Sequence, residues 1–67
     1  MTNNAERQFR ITEVMKLCPQ KEILKEKFAA QMICKWGFSR RTIMEYLNAL
    51  IMAGHLQEGG EGMIWRK

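Results

Sequence analysis

Two arginines, Arg40 and Arg41, stand side by side directly after Ser39, at the start of a stretch with helical spacing. Serine is favoured as an N-cap because its hydroxyl accepts a hydrogen bond from a free amide of the first turn. A helix N-terminus offers amide donors and partial positive charge, and guanidinium groups add bidentate geometry that suits phosphate. Two arginines there oppose the helix dipole, which is unfavourable unless an anion compensates. The pattern therefore favours a phosphate-binding site over a merely solvated surface.

Three amphipathic helices are predicted to position this segment. The first spans residues 5–18, after a polar, disordered segment 1–4, and ends because Pro19 disfavours helix in the residue before it. The second spans 20–36 and ends before Gly37, which suits the left-handed conformation at a helix C-terminus. The third spans 39–53. The predicted core stripes are Ile11, Val14, Met15 and Cys18 on the first helix, Leu24, Phe28, Met32 and Trp36 with Ile23, Ala30 and Ile33 on the second, and Ile43, Leu47, Leu50 and Ile51 on the third.

A β-hairpin over residues 55–67 is predicted after the third helix, because the apolar period there changes to alternation around a glycine-rich turn. A three-residue loop at 59–61 would direct Leu56 and Ile64 to the same, inward face. The predicted cross-strand pairs are Leu56 with Ile64 and His55 with Trp65. The expected fold class is thus mainly α with a small β-hairpin, in one domain over residues 5–67.

Composition limits the function classes. The chain has 67 residues, 46% hydrophobic and 27% charged, which is typical of a small folded domain. Eleven Lys and Arg against seven Asp and Glu give a net charge of +4, which favours a polyanionic partner, nucleic acid before a membrane surface. No apolar run of about 18 residues and no secretory h-region occur, so we expect a cytoplasmic protein without a membrane partner.

The residues that could bind metal or react are few. Cys18 and Cys34 are sixteen residues apart, which fits no zinc pattern, and His55 is the single histidine. The cysteines are interpreted as two buried thiols, with one disulfide as the alternative. No carboxylate pair in an apolar setting and no nucleophile beside a base is evident, and so short a chain has little room for a pocket. We therefore expect no enzyme activity, no cofactor, no metal and no small-molecule substrate.

The stretch around Gly37 resembles helix-turn-helix proteins, which have apolar residues at fixed distances from a turn glycine. Five residues of this chain occupy those positions: Met32, Trp36, Phe38, Ile43 and Tyr46. Ile33 departs from the family pattern, which prefers a small residue four positions before the glycine. With a hairpin after the third helix, residues 8–67 are most similar to the winged helix-turn-helix domains, in particular to compact regulators of archaea and of archaeal viruses and plasmids.

The resemblance implies a sequence-specific protein that binds double-stranded DNA, a transcriptional regulator that inserts helix 39–53 into the major groove as a homodimer. The implied DNA-binding residues are Ser39, Arg40, Arg41, Thr42, Met44, Glu45 and Asn48. Either arginine can reach guanine or a phosphate, Asn48 can pair with adenine, and Glu45 can accept a hydrogen bond from cytosine. Thr42 is expected at a phosphate or in the first-turn cap. Glu45 has a second interpretation, as the intrahelical partner of Arg41.

The composition of the implied wing, residues 58–63, is compatible with a second function. It carries Glu58 and Glu61, and no basic residue follows before Arg66. A wing that grips phosphate would normally be basic. The alternative is therefore a winged helix that binds another protein, as an interaction module of a replication or transcription complex. Candidates for the dimer seam are Phe9, Trp65 and the methionines that lie off the core stripes.

Overall fold

The computed structural model describes residues 4–67, which form three helices and a small antiparallel sheet. Helix α1 spans Asn4–Leu17, α2 spans Lys25–Trp36 and α3 spans Arg40–Met52. The strands β1 (Ile23–Leu24), β2 (Leu56–Glu58) and β3 (Met63–Arg66) have the order β1-β3-β2. The mainly helical class is as predicted, but the sheet has three strands where the sequence predicted two. Of the segment predicted to be disordered, residues 1–3 lie outside the described part of the chain, and Asn4 already belongs to α1.

One hydrophobic core joins the inner faces of the helices to the sheet. All three predicted stripes contribute to it, together with the two inward residues of the hairpin. The buried residues are Val14, Cys18, Phe28, Ala29, Met32, Ile43, Tyr46, Leu47, Leu50, Leu56 and Ile64. On α2 it is Ala29 that is buried and not Ala30, which faces solvent.

The predicted start of the second helix at residue 20 is wrong. α2 begins five residues later, and Ile23 and Leu24 pair with Ile64 and Met63 as strand β1. The amide of Arg66 also donates to the carbonyl oxygen of Pro19, which holds this segment extended. Because side chains alternate between the two faces of a strand, Ile23 packs against the core while its neighbour Leu24 is exposed and not part of the core. Pairing with a strand some forty residues away has overridden the local helical pattern.

The hairpin forms, but its register differs from the prediction. Gln57 pairs with Trp65 and Glu58 with Ile64, and the three-residue turn lies at Gly60–Gly62 rather than one position earlier. Moving the turn by one residue shifts the register by two. A shift of two positions leaves each side chain on its original face, because strand side chains alternate with period two. Leu56 and Ile64 are therefore both buried, as predicted, although they do not pair with each other.

Both cysteines are free thiols, so the disulfide alternative is not realised. Cys18 is buried as expected, but Cys34 is exposed on α2, contrary to the prediction. Burial raises the pKa of the Cys18 thiol, and the nearby positive charge of Arg66 opposes this only in part. The buried thiol therefore stays protonated at neutral pH and acts as a small apolar core residue.

The indole of Trp65 packs directly on the backbone of Gly59. A Cβ atom at Gly59 would lie 2.8 Å from Cζ3 of that ring, whereas one at Gly60 would have no neighbour within 4 Å. We therefore expect Gly59→Ala to lower the free energy of unfolding by about 1–3 kcal/mol through overpacking. The matched Gly60→Ala should change it by no more than about 1 kcal/mol. Thermal unfolding followed by circular dichroism measures both, and equal destabilisation by the two variants would contradict the packing account.

Candidate functional site

The connection between α2 and α3 is a tight turn at Gly37. This residue has φ 73° and ψ 15°, and its amide donates to the carbonyl oxygen of Ile33 at 2.8 Å. The left-handed conformation is disfavoured for residues with a Cβ and is available to glycine. Gly37 therefore ends α2 where the sequence predicted, and only two residues separate it from the start of α3.

An aromatic cluster of Trp36, Phe38 and Tyr46 brackets this turn. The rings of Trp36 and Phe38 stack with centroids 6.0 Å apart, and Tyr46 meets Phe38 edge to face at 6.4 Å. Both arrangements are favourable for aromatic pairs. Since one ring comes from each side of the turn and the third from within α3, the cluster fixes how the two helices cross.

Ser39 caps α3 as predicted. Its Oγ accepts a hydrogen bond from the amide of Thr42 at 3.2 Å and lies 3.1 Å from the Thr42 hydroxyl oxygen. Thr42 thus takes the expected place in the first-turn cap. The cap gives a hydrogen-bond partner to one of the first-turn amides of α3, which have none within the helix, and so stabilises the start of α3 at Arg40.

Arg40 forms an ion pair with Glu26 of its own chain. Its guanidinium nitrogen Nη2 contacts both carboxylate oxygens of Glu26 on α2, and Nε donates to Oε2 at 3.3 Å. The hydrogen bond and the negative charge of Glu26 raise the pKa of Arg40 above its usual value. The sequence predicted that both arginines are available to phosphate; for Arg40 the structure shows an ion pair instead, in which both side chains are exposed to solvent.

Arg41 does project outward, with 90% of its side chain exposed. Its Nε lies 3.5 Å from Oε1 of Glu45, one turn further along α3. This is the intrahelical pair that the sequence offered as the second interpretation of Glu45. Met44, which was predicted to face outward, is half-buried and packs against the core.

Lys25, the first residue of α2, contacts the middle of α3 and the end of β2. Its Nζ donates to Oδ1 of Asn48 at 2.6 Å and lies 3.7 Å from a carboxylate oxygen of Glu58 on β2. Since an ammonium group can only donate, it fixes the amide with Oδ1 inward and the Nδ2 donors free. A bidentate adenine contact uses both Oδ1 and Nδ2. Asn48 can therefore make that contact only if Oδ1 is shared with Lys25 or released by it.

These six charged side chains border the outer surface of α3 and are called the α3 face: Lys25, Glu26, Arg40, Arg41, Glu45 and Glu58. Three are cations and three are carboxylates, paired one to one. The formal charge of the α3 face is therefore zero, although the whole chain carries +4. The excess positive charge of the chain belongs to residues other than these six.

Sequence reasoning missed several residues that the fold brings to this region. Lys25 and Glu26 reach α3 across 23 and 14 positions of the chain, so no local spacing marks them. On α1, the Arg10 guanidinium lies 4.8 Å from the centroid of the Phe38 ring, and that of Arg7 lies 6.0 Å from the Tyr46 ring. These contacts place two further cations over the aromatic cluster.

No group of three or more potential metal ligands comes together anywhere in residues 4–67. Within the same residues, no helix has the length and apolar character needed to cross a bilayer. Comparison with models of known protein families, with curated proteins and with solved structures finds no match to this chain.

The cap at Ser39 can be tested by two substitutions. Ser39→Ala removes the acceptor for the Thr42 amide, and we expect it to lower the free energy of unfolding by about 0.5–2 kcal/mol. Ser39→Asp keeps an acceptor at this position and should retain most of the stability. Urea unfolding followed by far-ultraviolet circular dichroism gives both values. If Ser39→Ala is as stable as the wild type, the hydroxyl does not cap α3.

Proposed function

We propose that this chain is a winged helix-turn-helix protein that binds double-stranded DNA sequence-specifically, as a homodimeric transcriptional regulator. In this proposal α3 enters the major groove, and Arg41, Glu45 and Asn48 face the bases or phosphates. Ser39 and Thr42 lie beside the sugar-phosphate backbone of the DNA. The main support for the proposal is the tight turn at Gly37, which is followed by a capped helix whose Arg41 is almost fully exposed.

The dimensions of α3 support the proposal. The B-form major groove admits an α-helix, and α3 has thirteen residues, more than three turns. Arg41, Glu45 and Asn48 follow one another at intervals of four and three residues, so they share one side of the helix. All three are exposed, while the opposite side of α3 is buried in the core.

Binding to DNA through Arg41 requires its ion pair with Glu45 to exchange partners. Exposed pairs contribute little to stability, because water and salt screen them. A phosphate can therefore replace Glu45 on Arg41 without disturbing the fold. The remaining positive charge of the chain attracts the duplex at longer range.

A dimer is proposed because one small module makes few base contacts and rarely reaches useful specificity alone. Phe9 on α1 is 59% exposed and is the leading candidate for the seam, while the half-buried Trp65 already packs on Gly59. Met52 is 88% exposed, but it follows Arg41 by three turns and so lies on the side of α3 proposed to face DNA. A seam at Phe9 leaves that side free.

A protein-binding module is the second candidate, and the balanced charge of the α3 face favours it. A surface built only for phosphate would carry an excess of cations. This candidate predicts that no duplex is bound at physiological salt. It also predicts a protein partner whose affinity survives the loss of Arg40 and Arg41 together.

Selection of bound duplexes from a random pool, followed by measurement of affinity against salt, tests the proposed function. If each subunit neutralises about three phosphates, the logarithm of affinity should fall with the logarithm of salt at a slope near about −5 for the dimer. Arg41→Ala should weaken binding by about 30-fold or more, because it removes a groove contact of about 1 kcal/mol or more from each subunit.

Lys16→Ala is the matched control, since Lys16 is also an exposed cation in an intrahelical ion pair, but on α1. It should leave affinity for the selected duplex nearly unchanged. A flat salt dependence, or an equal loss from both alanine variants, would rule out DNA binding through α3.

A further inference from the structure

The ion pair between Arg40 and Glu26 differs from the others on the α3 face. Arg41 and Glu45 make one contact of 3.5 Å within a single helix, and most of the Arg41 side chain is free. Lys25 is only 19% exposed and is also bonded to Asn48, so its role is to join elements. Arg40 is an exposed cation held through two of its nitrogens by a carboxylate from another helix.

A carboxylate in this position competes with phosphate for Arg40. The guanidinium fork binds both anions in the same bidentate geometry, so a duplex gains little by displacing a partner already in place. Sequence-independent DNA affinity grows with the number of phosphates that basic side chains neutralise. A cation that stays on Glu26 adds nothing to that number.

We infer that Glu26 is an intramolecular competitor for DNA phosphate, which holds Arg40 and limits the affinity of the protein for DNA of any sequence. The inference rests on the proposed function. It assigns Arg40 to the regulation of affinity rather than to the reading of bases. Sequence choice is then left to Arg41 and Asn48, whose side chains offer free donors on the outer side of α3.

Glu26→Gln tests the inference, because it removes the negative charge and keeps the size of the side chain. One further phosphate contact in each subunit of the proposed dimer steepens the salt slope by about 1.8, which corresponds to about 60-fold tighter binding at about 0.1 M salt. We expect this gain with a duplex of arbitrary sequence, measured by fluorescence anisotropy between low and physiological salt.

Glu13→Gln is the matched control. It changes the net charge by the same amount and frees Lys16 from an exposed ion pair on α1. Its affinity and slope should remain close to those of the wild type. An equal gain from both variants would show that net charge, and not the release of Arg40, is responsible.

Arg40→Ala completes a double-mutant cycle. Alone it leaves the Glu26 carboxylate unpaired and should weaken binding, whereas the double variant has the wild-type net charge and should bind close to the wild type. If the double variant binds as tightly as Glu26→Gln alone, Glu26 acts by repelling DNA directly and the inference is wrong. If the wild type binds DNA but Glu26→Gln gains nothing, the inference alone fails. Failure of every variant to bind any duplex, even at low salt, overturns the proposed function as well.

Discussion

The left-handed turn at Gly37 is the constraint on which the arrangement of the molecule depends. It ends α2 with a hydrogen bond from the Gly37 amide to Ile33, and α3 begins only two residues beyond it. Two helices joined so tightly can cross in few ways, and the stacked rings of Trp36 and Phe38 select one of them. The same crossing brings the first turn of α2 against the outer surface of α3, so the charges around α3 follow from the turn.

Because the first turn of α2 lies against α3, the net charge of the α3 face differs from that of the whole chain. The net charge of +4 led to the prediction of a polyanionic partner, yet the six residues of the α3 face sum to zero. Under the proposed function, general attraction to DNA comes from cations elsewhere on the chain, and the α3 face contributes specific contacts.

The parts of this structure that follow local rules could be predicted from the sequence. The left-handed Gly37, the Ser39 cap and the buried stripe of α3 each depend on residues within one or two helical turns. Strand β1 could not be predicted, because its partner β3 lies far along the chain and the segment itself has a helical pattern. The hairpin register was wrong by two positions for a related reason, since the faces of the strands are the same in either register. The pairing of Arg40 with Glu26 depends on how α2 crosses α3, which no spacing in the sequence encodes.

Under the proposed function, the outer side of α3 is the surface that meets duplex DNA. This can be tested by titrating the isotopically labelled protein with a duplex recovered from the random pool and following its amide chemical shifts. The largest changes should fall within residues 39–48 and spare the outer side of α1. Changes centred on α1 or on the sheet, with those residues unmoved, would contradict it.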